Sequence, residues 1–261
     1  MKIKLLPSHV DSEGRATPEQ HLTCFVIDDC VAVDAGSIAI ALTRDQRRQV
    51  RDIILTHTHM DHIATLPIFI DDLYASLREP IRIHATQQII DSLERDVFNW
   101  SVYPRFSQLE NDYGPVMEYV PIPLREEFVV AHLRMTAIPV DHVVPTVGLI
   151  VADDKAVVAF SSDTQETEEF WEVINRSPQL SALIVESSFP NSMEHLAKDA
   201  RHLTPATLAN ELSKLSPKNN DALEILAVHI KPAYRETVVE ELHALGITRL
   251  HVMEPGRTYT W

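Results

Sequence analysis

The residues His57-Thr58-His59-Met60-Asp61-His62 gather three histidines and an aspartate into six consecutive positions, directly after the apolar run 53–55. Neutral imidazoles and a carboxylate are borderline-hard donors that suit Zn²⁺ foremost, and Mn²⁺ or Fe²⁺ as well. The absence of a nearby cysteine argues against a structural zinc site. Side chains two residues apart do not share a helix face, so His57 and His59 converge only from a loop, with Asp61 and His62 near the start of a following helix. The spacing therefore predicts a strand–loop–helix junction that binds metal. The alternative, a surface turn with chance histidines, leaves the density of donors unexplained.

Four further polar residues each come immediately or shortly after an apolar run. Asp34 follows Val31-Ala32-Val33, His142 follows Ile138-Pro139-Val140, Asp163 follows 157–160, and His229 follows Ala227-Val228. In α/β proteins ligands gather outside strand ends. A site for two metals needs about six to seven donors with positions left for water, and these residues with the histidine run reach that number. Taken alone, His142 or His229 is more often a core or surface histidine.

The elements that must position them can be read from periodicity. Short β-branched runs at 22–27, 31–33, 53–55, 81–83, 129–138, 147–151, 157–160, 183–185, 225–228 and 250–253 predict strands. Helical patterns at 63–77, 86–98, 205–215 and 233–245 lie between several of them. The alternation predicts a layered α/β protein. With no Gly/Ser-rich linker and no repeat, one domain over residues 1–261 is expected, with the proline- and aromatic-rich excursion 99–123 either a lid or an irregular surface segment.

Composition narrows the function. The chain has 38 acidic residues against 23 lysines and arginines, a formal net charge of −15, and no basic run, which argues against a broad grip on nucleic acid. No apolar stretch approaches the roughly 18 residues that span a bilayer, so no membrane association is expected. Cys24 and Cys30 flank an expected hairpin turn at Asp28-Asp29, with Cys24 opposite Val33, so no disulfide is expected. A cytoplasmic protein follows, and a homodimer is compatible with the sequence.

The His-x-His-x-Asp-His run, the strand-end Asp34 before it and the distant His142, Asp163 and His229 resemble the metallo-β-lactamase superfamily. The resemblance implies a four-layer αββα sandwich, with His57, His59 and His142 on one metal, Asp61, His62 and His229 on the other, and Asp163 bridging. It implies that Asp34 orients ligands by hydrogen bonding rather than binding metal. Because this fold hosts lactam, thioester, lactone and phosphodiester hydrolysis, the reaction must be read elsewhere. The segments Val185-Glu186-Ser187-Ser188-Phe189-Pro190-Asn191, Arg201-His202-Leu203-Thr204-Pro205 and Val228-His229-Ile230-Lys231-Pro232 resemble the class II cyclic nucleotide phosphodiesterases. Thr65 stands where that pattern has a glycine.

This resemblance implies two divalent ions as cofactors, a metal-activated hydroxide oriented by Asp61, and hydrolysis of cyclic AMP or cyclic GMP to the 5′ monophosphate. His202 is the expected proton donor to the leaving oxygen; similar phosphodiesterases, including the ribonuclease that trims tRNA precursors, carry a His-Ser/Leu-Thr segment in this region. The structural alternative for His202 is that it merely precedes the helix cap Thr204. Trp171, Phe189 and the aromatics of 99–123 are candidates for stacking a base, and His195 reads as surface. Alternative functions are a ribonuclease Z-like RNA phosphodiesterase, which the acidic composition disfavours, and a thioester or lactone hydrolase, which would not need His202. A non-catalytic metal-binding protein ranks last, because the ligand set is complete.

Overall fold

Short apolar and β-branched runs bounded by polar turns fold as strands because branched side chains pack well on a pleated surface. In the computed structural model, which describes residues 1–177, 180–216 and 223–261, they build two compact units, residues 1–123 with 255–260 and residues 124–254 with Trp261.

The first unit contains β1 (Lys2–Leu5), β2 (Phe25–Ile27), β3 (Val31–Val33), β4 (Asp52–Ile54), β5 (Ile81–Ala85), the small hairpin β6 (Glu110–Asn111) and β7 (Gly114–Pro115), and β8 (Met117–Pro121). Its main sheet runs in the order Thr258–Thr260, β1, β2, β3, β4, β5, β8. From β3 to β8 the pairing is parallel, and β3 and β4 are buried along their whole length, as parallel strands covered on both faces require. The helices are α1 (Ile38–Ala41), α2 (Arg44–Arg47), α3 (Met60–Ile63), α4 (Leu66–Leu73) and α5 (Gln87–Asp96). Leu66, Phe69, Ile70 and Leu73 repeat at helical spacing along α4 and are buried, forming one apolar stripe. Full burial of each such side chain stabilises by roughly 1.5–3 kcal/mol.

Three expectations are changed or refined here. The helical pattern 63–77 is two helices, because the chain pauses at Thr65 (φ −106°, ψ 7°) and restarts with Pro67 in the first turn of α4, where a missing N–H costs nothing. The β2–β3 hairpin pairs Phe25, rather than Cys24, with Val33. Asp28 and Asp29 are both left-handed and Cys30 joins the turn, shifting the register by one residue; both thiols remain free. Within 99–123, β8 pairs with β5, and Phe106, Val116, Met117 and Ile122 are buried while Trp100, Val102 and Tyr113 are exposed, so the excursion is anchored to this unit at a few points and is otherwise at the surface.

The second unit contains β9 (Glu127–Val130), β10 (Leu133–Pro139), β11 (Val147–Ala152), β12 (Val157–Phe160), β13 (Ala182–Glu186), β14 (Glu224–Val228) and β15 (Leu250–Val252), with α6 (Glu169–Arg176), α7 (Glu194–Asp199), α8 (Pro205–Leu212) and α9 (Arg235–Ala244). The sheet order is β15, β14, β13, β12, β11, β10, β9, parallel from β12 to β15. The run 129–138, expected as one strand, turns at Ala131 (φ 51°) into the β9–β10 hairpin. Strand and helix alternate in both units, the α/β class expected. No helix among the described residues is long and apolar enough to cross a membrane.

Candidate metal centre

In the first unit β4 delivers the chain through Leu55 and Thr56 into the histidine run, and His59 caps α3, whose first turn carries Asp61. This is the strand–loop–helix junction expected from the spacing. His57 and His62 are buried with ring centroids 4.1 Å apart, and His57 and His59 are 4.9 Å apart. Donor atoms of His57 and His59 approach within 4.8 Å, as do those of Asp61 and His62.

Asp34 fixes the two ends of this run. It is buried and left-handed (φ 60°) at the end of β3. Its Oδ1 accepts from the Thr56 amide at 2.8 Å, and its Oδ2 accepts from His62 Nδ1 at 2.7 Å. Thr56 Oγ1 donates to the same carboxylate at 2.9 Å and lies 3.1 Å from His57 Nδ1. With its own proton directed to Asp34, that hydroxyl accepts from His57. The following residues clamp the run's backbone: Ala35 N donates to His62 O at 2.7 Å, and Thr23 N to Asp61 O at 2.7 Å. Gly36 is required here by close approach, since a Cβ would fall 2.0 Å from Asp61 O. Thr65 joins the same clamp, accepting from Ala39 N at 3.0 Å and donating to Ala35 O at 3.2 Å.

In the second unit His142, Asp163 and His229 each follow a strand and are buried. His229 is left-handed (φ 58°), and its Nε2 lies 3.2 Å from Asp163 Oδ2. Donor atoms of His142 and Asp163 approach within 4.8 Å. His142 Nδ1 donates to Arg201 O at 3.0 Å, and Arg201 reaches back to His142 O at 2.9 Å. Glu186, at the end of β13, has no role in the sequence analysis beyond its place in the 185–191 segment, yet the structure sets it against His202 and Ser188. Its Oε1 accepts from His202 Nδ1 at 2.7 Å and from Thr164 N at 3.0 Å; its Oε2 accepts from Ser188 Oγ at 2.9 Å and from Leu203 N at 3.2 Å. Ser188 Oγ is also 2.9 Å from His229 Nδ1. Glu186 thus repeats through Ser188 and His229 what Asp34 does through Thr56 and His57. A polar residue closing an apolar strand was the signal that could have found it.

Glu186, His202 and His229 are close enough to hold an ion themselves, but both oxygens of Glu186 are occupied by hydrogen bonds, which makes it an orienting group. His202 is buried, 4.9 Å from the His142 ring and stacked on His229 at 5.3 Å. Burial acts to lower its pKa, but the charge and hydrogen bond of Glu186, with Asp163 adding and Lys231 opposing, leave it raised above the ordinary histidine value.

In His57, His62, His142 and His229 the Nδ1 nitrogen is engaged by the protein, so Nε2 is the basic nitrogen, the atom a metal takes. Back-bonded imidazoles with carboxylates form a donor set that fits Zn²⁺, Mn²⁺ or Fe²⁺. Of the aromatic candidates, Trp171 is core: it is buried and donates to Glu211. Phe189 is buried beside His202, with ring centroids 5.8 Å apart. His195 is exposed on α7.

Residues 29–230 match a family model described as a beta-lactamase superfamily domain. A probable 3′,5′-cyclic-nucleotide phosphodiesterase of Yersinia pestis is 25% identical over 228 residues, covering 78% of this chain and 65% of that protein. The 3′,5′-cyclic-nucleotide phosphodiesterase 1 of Saccharomyces cerevisiae is 26% identical over 232 residues, covering 77% of this chain and 63% of that protein. The chain therefore spans a little under two thirds of the length of these curated relatives. The crystal structure of unliganded yeast PDE1 superposes with a TM-score of 0.78 at 19% identity, covering 98% of each chain.

Proposed function

Because the chain belongs to the β-lactamase superfamily and has the metallo-β-lactamase fold, we propose that it is a metal-dependent phosphodiesterase that hydrolyses 3′,5′-cyclic nucleotides to 5′ monophosphates. The observation that carries this reading beyond the fold is the buried Glu186–His202 pair. A proton donor beside metal ligands serves an alkoxide leaving group, whereas a thioester hydrolase, whose thiolate departs unprotonated, would have no need for it. The names of the two curated relatives support the same substrate class.

In this reading His57, His59 and His142 hold one divalent ion, Asp61, His62 and His229 a second, and Asp163 both, with Zn²⁺ the first candidate. When bound, the ions supply positive charge for the phosphoryl oxygens and acidify water near neutral pH, which lets a chain of net charge −15 take an anionic substrate. Asp61 orients the attacking water for in-line approach to phosphorus. As the bond from phosphorus to the 3′ oxygen breaks, His202 delivers a proton from Nε2 to that oxygen. Glu186, on Nδ1, holds the ring and stabilises its charged form. Asp34 orients His57 and His62 without touching substrate. The two free thiols fit a reducing cytoplasm.

The test is chromatographic: metal-loaded protein is incubated with cyclic AMP and cyclic GMP. Formation of the 5′ monophosphate, abolished by chelator, is the expected result. Intact nucleotide after prolonged incubation of a fully metallated sample would contradict the substrate class.

A further inference from the structure

Arg48 and Arg51, from the arginine-rich stretch 44–51, line one cleft of about 580 Å³ in the first unit with Arg78, Ser76 and Glu79. Arg51 immediately precedes β4, and Arg78 and Glu79 precede β5. The cavity therefore lies at the N-terminal ends of these strands, while the histidine run leaves the C-terminal end of β4.

The arginines here differ from half of those in the chain. Arg15, Arg47, Arg82, Arg95, Arg105, Arg125, Arg176 and Arg201 each have a carboxylate within 3.4 Å. Arg51 and Arg78 have none within 4.0 Å among the described residues. Arg51 is half-buried; two backbone carbonyls, of Val50 at 2.8 Å and Arg47 at 3.2 Å, hold one edge of its guanidinium. Burial pushes it below the ordinary arginine value, with Glu79 opposing and Arg82 adding. Arg78 lies over the Tyr113 ring at 5.3 Å, which holds a guanidinium without neutralising it. Arg48 reaches Asp45 only at 4.0 Å, between exposed groups, an interaction worth little in water. A partly desolvated cation that no carboxylate touches, as at Arg51, is costly, and the exposed Arg48 and Arg78 guanidiniums beside it in the same cleft exceed the single charge of Glu79.

We propose that this cavity is a second, non-catalytic anion site that binds a phosphomonoester. The three arginines less Glu79 leave a net charge of +2, matching a phosphomonoester of about −1.5 to −2 at neutral pH. Guanidinium forks suit its oxygens. The Ser76 hydroxyl donates to Leu73 O at 2.9 Å, so the arginines do the recognising. The three arginines share one open cleft, which suits a small molecule better than a polyanion, which needs cations spread along a surface.

The test is calorimetric titration of the metal-loaded full chain with orthophosphate, 5′-AMP and a ribo-oligonucleotide, comparing wild type with R48A/R78A and with Glu79→Gln. Wild type is expected to show a binding event that R48A/R78A weakens about tenfold or more and Glu79→Gln tightens severalfold, with metal content unchanged in all three. In the part of the response that R48A/R78A loses, which leaves out product binding at the metal centre, equal response to orthophosphate and 5′-AMP would identify phosphate alone as the ligand; tighter 5′-AMP would show that the nucleoside is read too. Superimposable isotherms across the three proteins, or an effect confined to the oligonucleotide, would overturn the proposal. Because Glu79→Gln predicts a gain, misfolding of R48A/R78A would not mimic support.

Discussion

Glu186 Oε1 accepts the Nδ1 proton of His202 at 2.7 Å, with both groups buried. A carboxylate so placed fixes the ring's orientation and favours its protonated form, which in the proposed reaction would give His202 a proton to deliver from Nε2. His202→Ala should keep its metals and lose turnover of the order of 10²-fold or more. Glu186→Gln should lower turnover less and move the alkaline limb of the rate–pH profile to lower pH, because the imidazolium loses its stabilising charge. Metal content by atomic spectroscopy and kcat across pH check both; unchanged turnover in His202→Ala would return that residue to a structural role.

In the proposed reading Asp34 acts at one remove from the ions. Asp34→Ala removes the acceptor for His62 Nδ1, Thr56 N and Thr56 Oγ1, releasing two imidazoles from their working tautomer. Loss of such an orienting partner typically weakens metal affinity 10–100-fold. Competition against a calibrated chelator measures it, and an unchanged affinity would remove Asp34 from the site.

Gly36 makes a prediction about stability rather than chemistry. With a Cβ falling 2.0 Å from Asp61 O and 2.7 Å from Thr23 N, Gly36→Ala must displace the backbone that carries the histidine run. A loss of at least about 2 kcal/mol is expected, read as a lowered melting temperature accompanied by weaker metal retention.

Much of this site is legible in the sequence because metal chemistry restricts residue type and strand ends restrict position: Asp34, His57, Asp163 and His229 all follow apolar runs. The supporting groups are harder to read. Glu186 closes a strand whose other residues are apolar, and only the fold shows its two oxygens meeting His202, Ser188, Thr164 and Leu203. Arg48 and Arg51 share the stretch 44–51, but only the fold brings Arg78 to them. The pairing of β1 with Thr258–Thr260 joins opposite ends of the chain, beyond the reach of periodicity. The hairpin register differs by one residue from the expected one at Cys24 because two left-handed aspartates admit Cys30 into the turn.

Asp52 provides a pH-dependent test of the first unit's core. Its carboxylate receives a fork from Arg82 at 2.7 Å on each oxygen and lies 2.8 Å from His84 Nε2. Burial would raise its pKa, but these partners outweigh burial and hold it well below the usual carboxylate range. A depressed folded value means that the stabilisation is present above the unfolded pKa, near 4, and is lost as pH falls through the folded value. Asp52→Asn should therefore cost about 2 kcal/mol at pH 7, allowing for the partial exposure of Arg82. The gap to wild type should narrow below about pH 4, as chemical denaturation at pH 7 and pH 3 would reveal.

The central claim joins the metals to phosphodiester cleavage, and a metal titration of turnover tests it most directly. Metal-free protein is supplemented stepwise with Zn²⁺ or Mn²⁺ while bound metal and conversion of cyclic AMP and cyclic GMP are measured on the same sample. The account predicts no turnover without metal and a rise to a plateau at two ions per chain, with Asp163→Ala losing both ions together. Turnover that persists in metal-free protein, a plateau at one ion, or two bound ions without conversion of either nucleotide would contradict it.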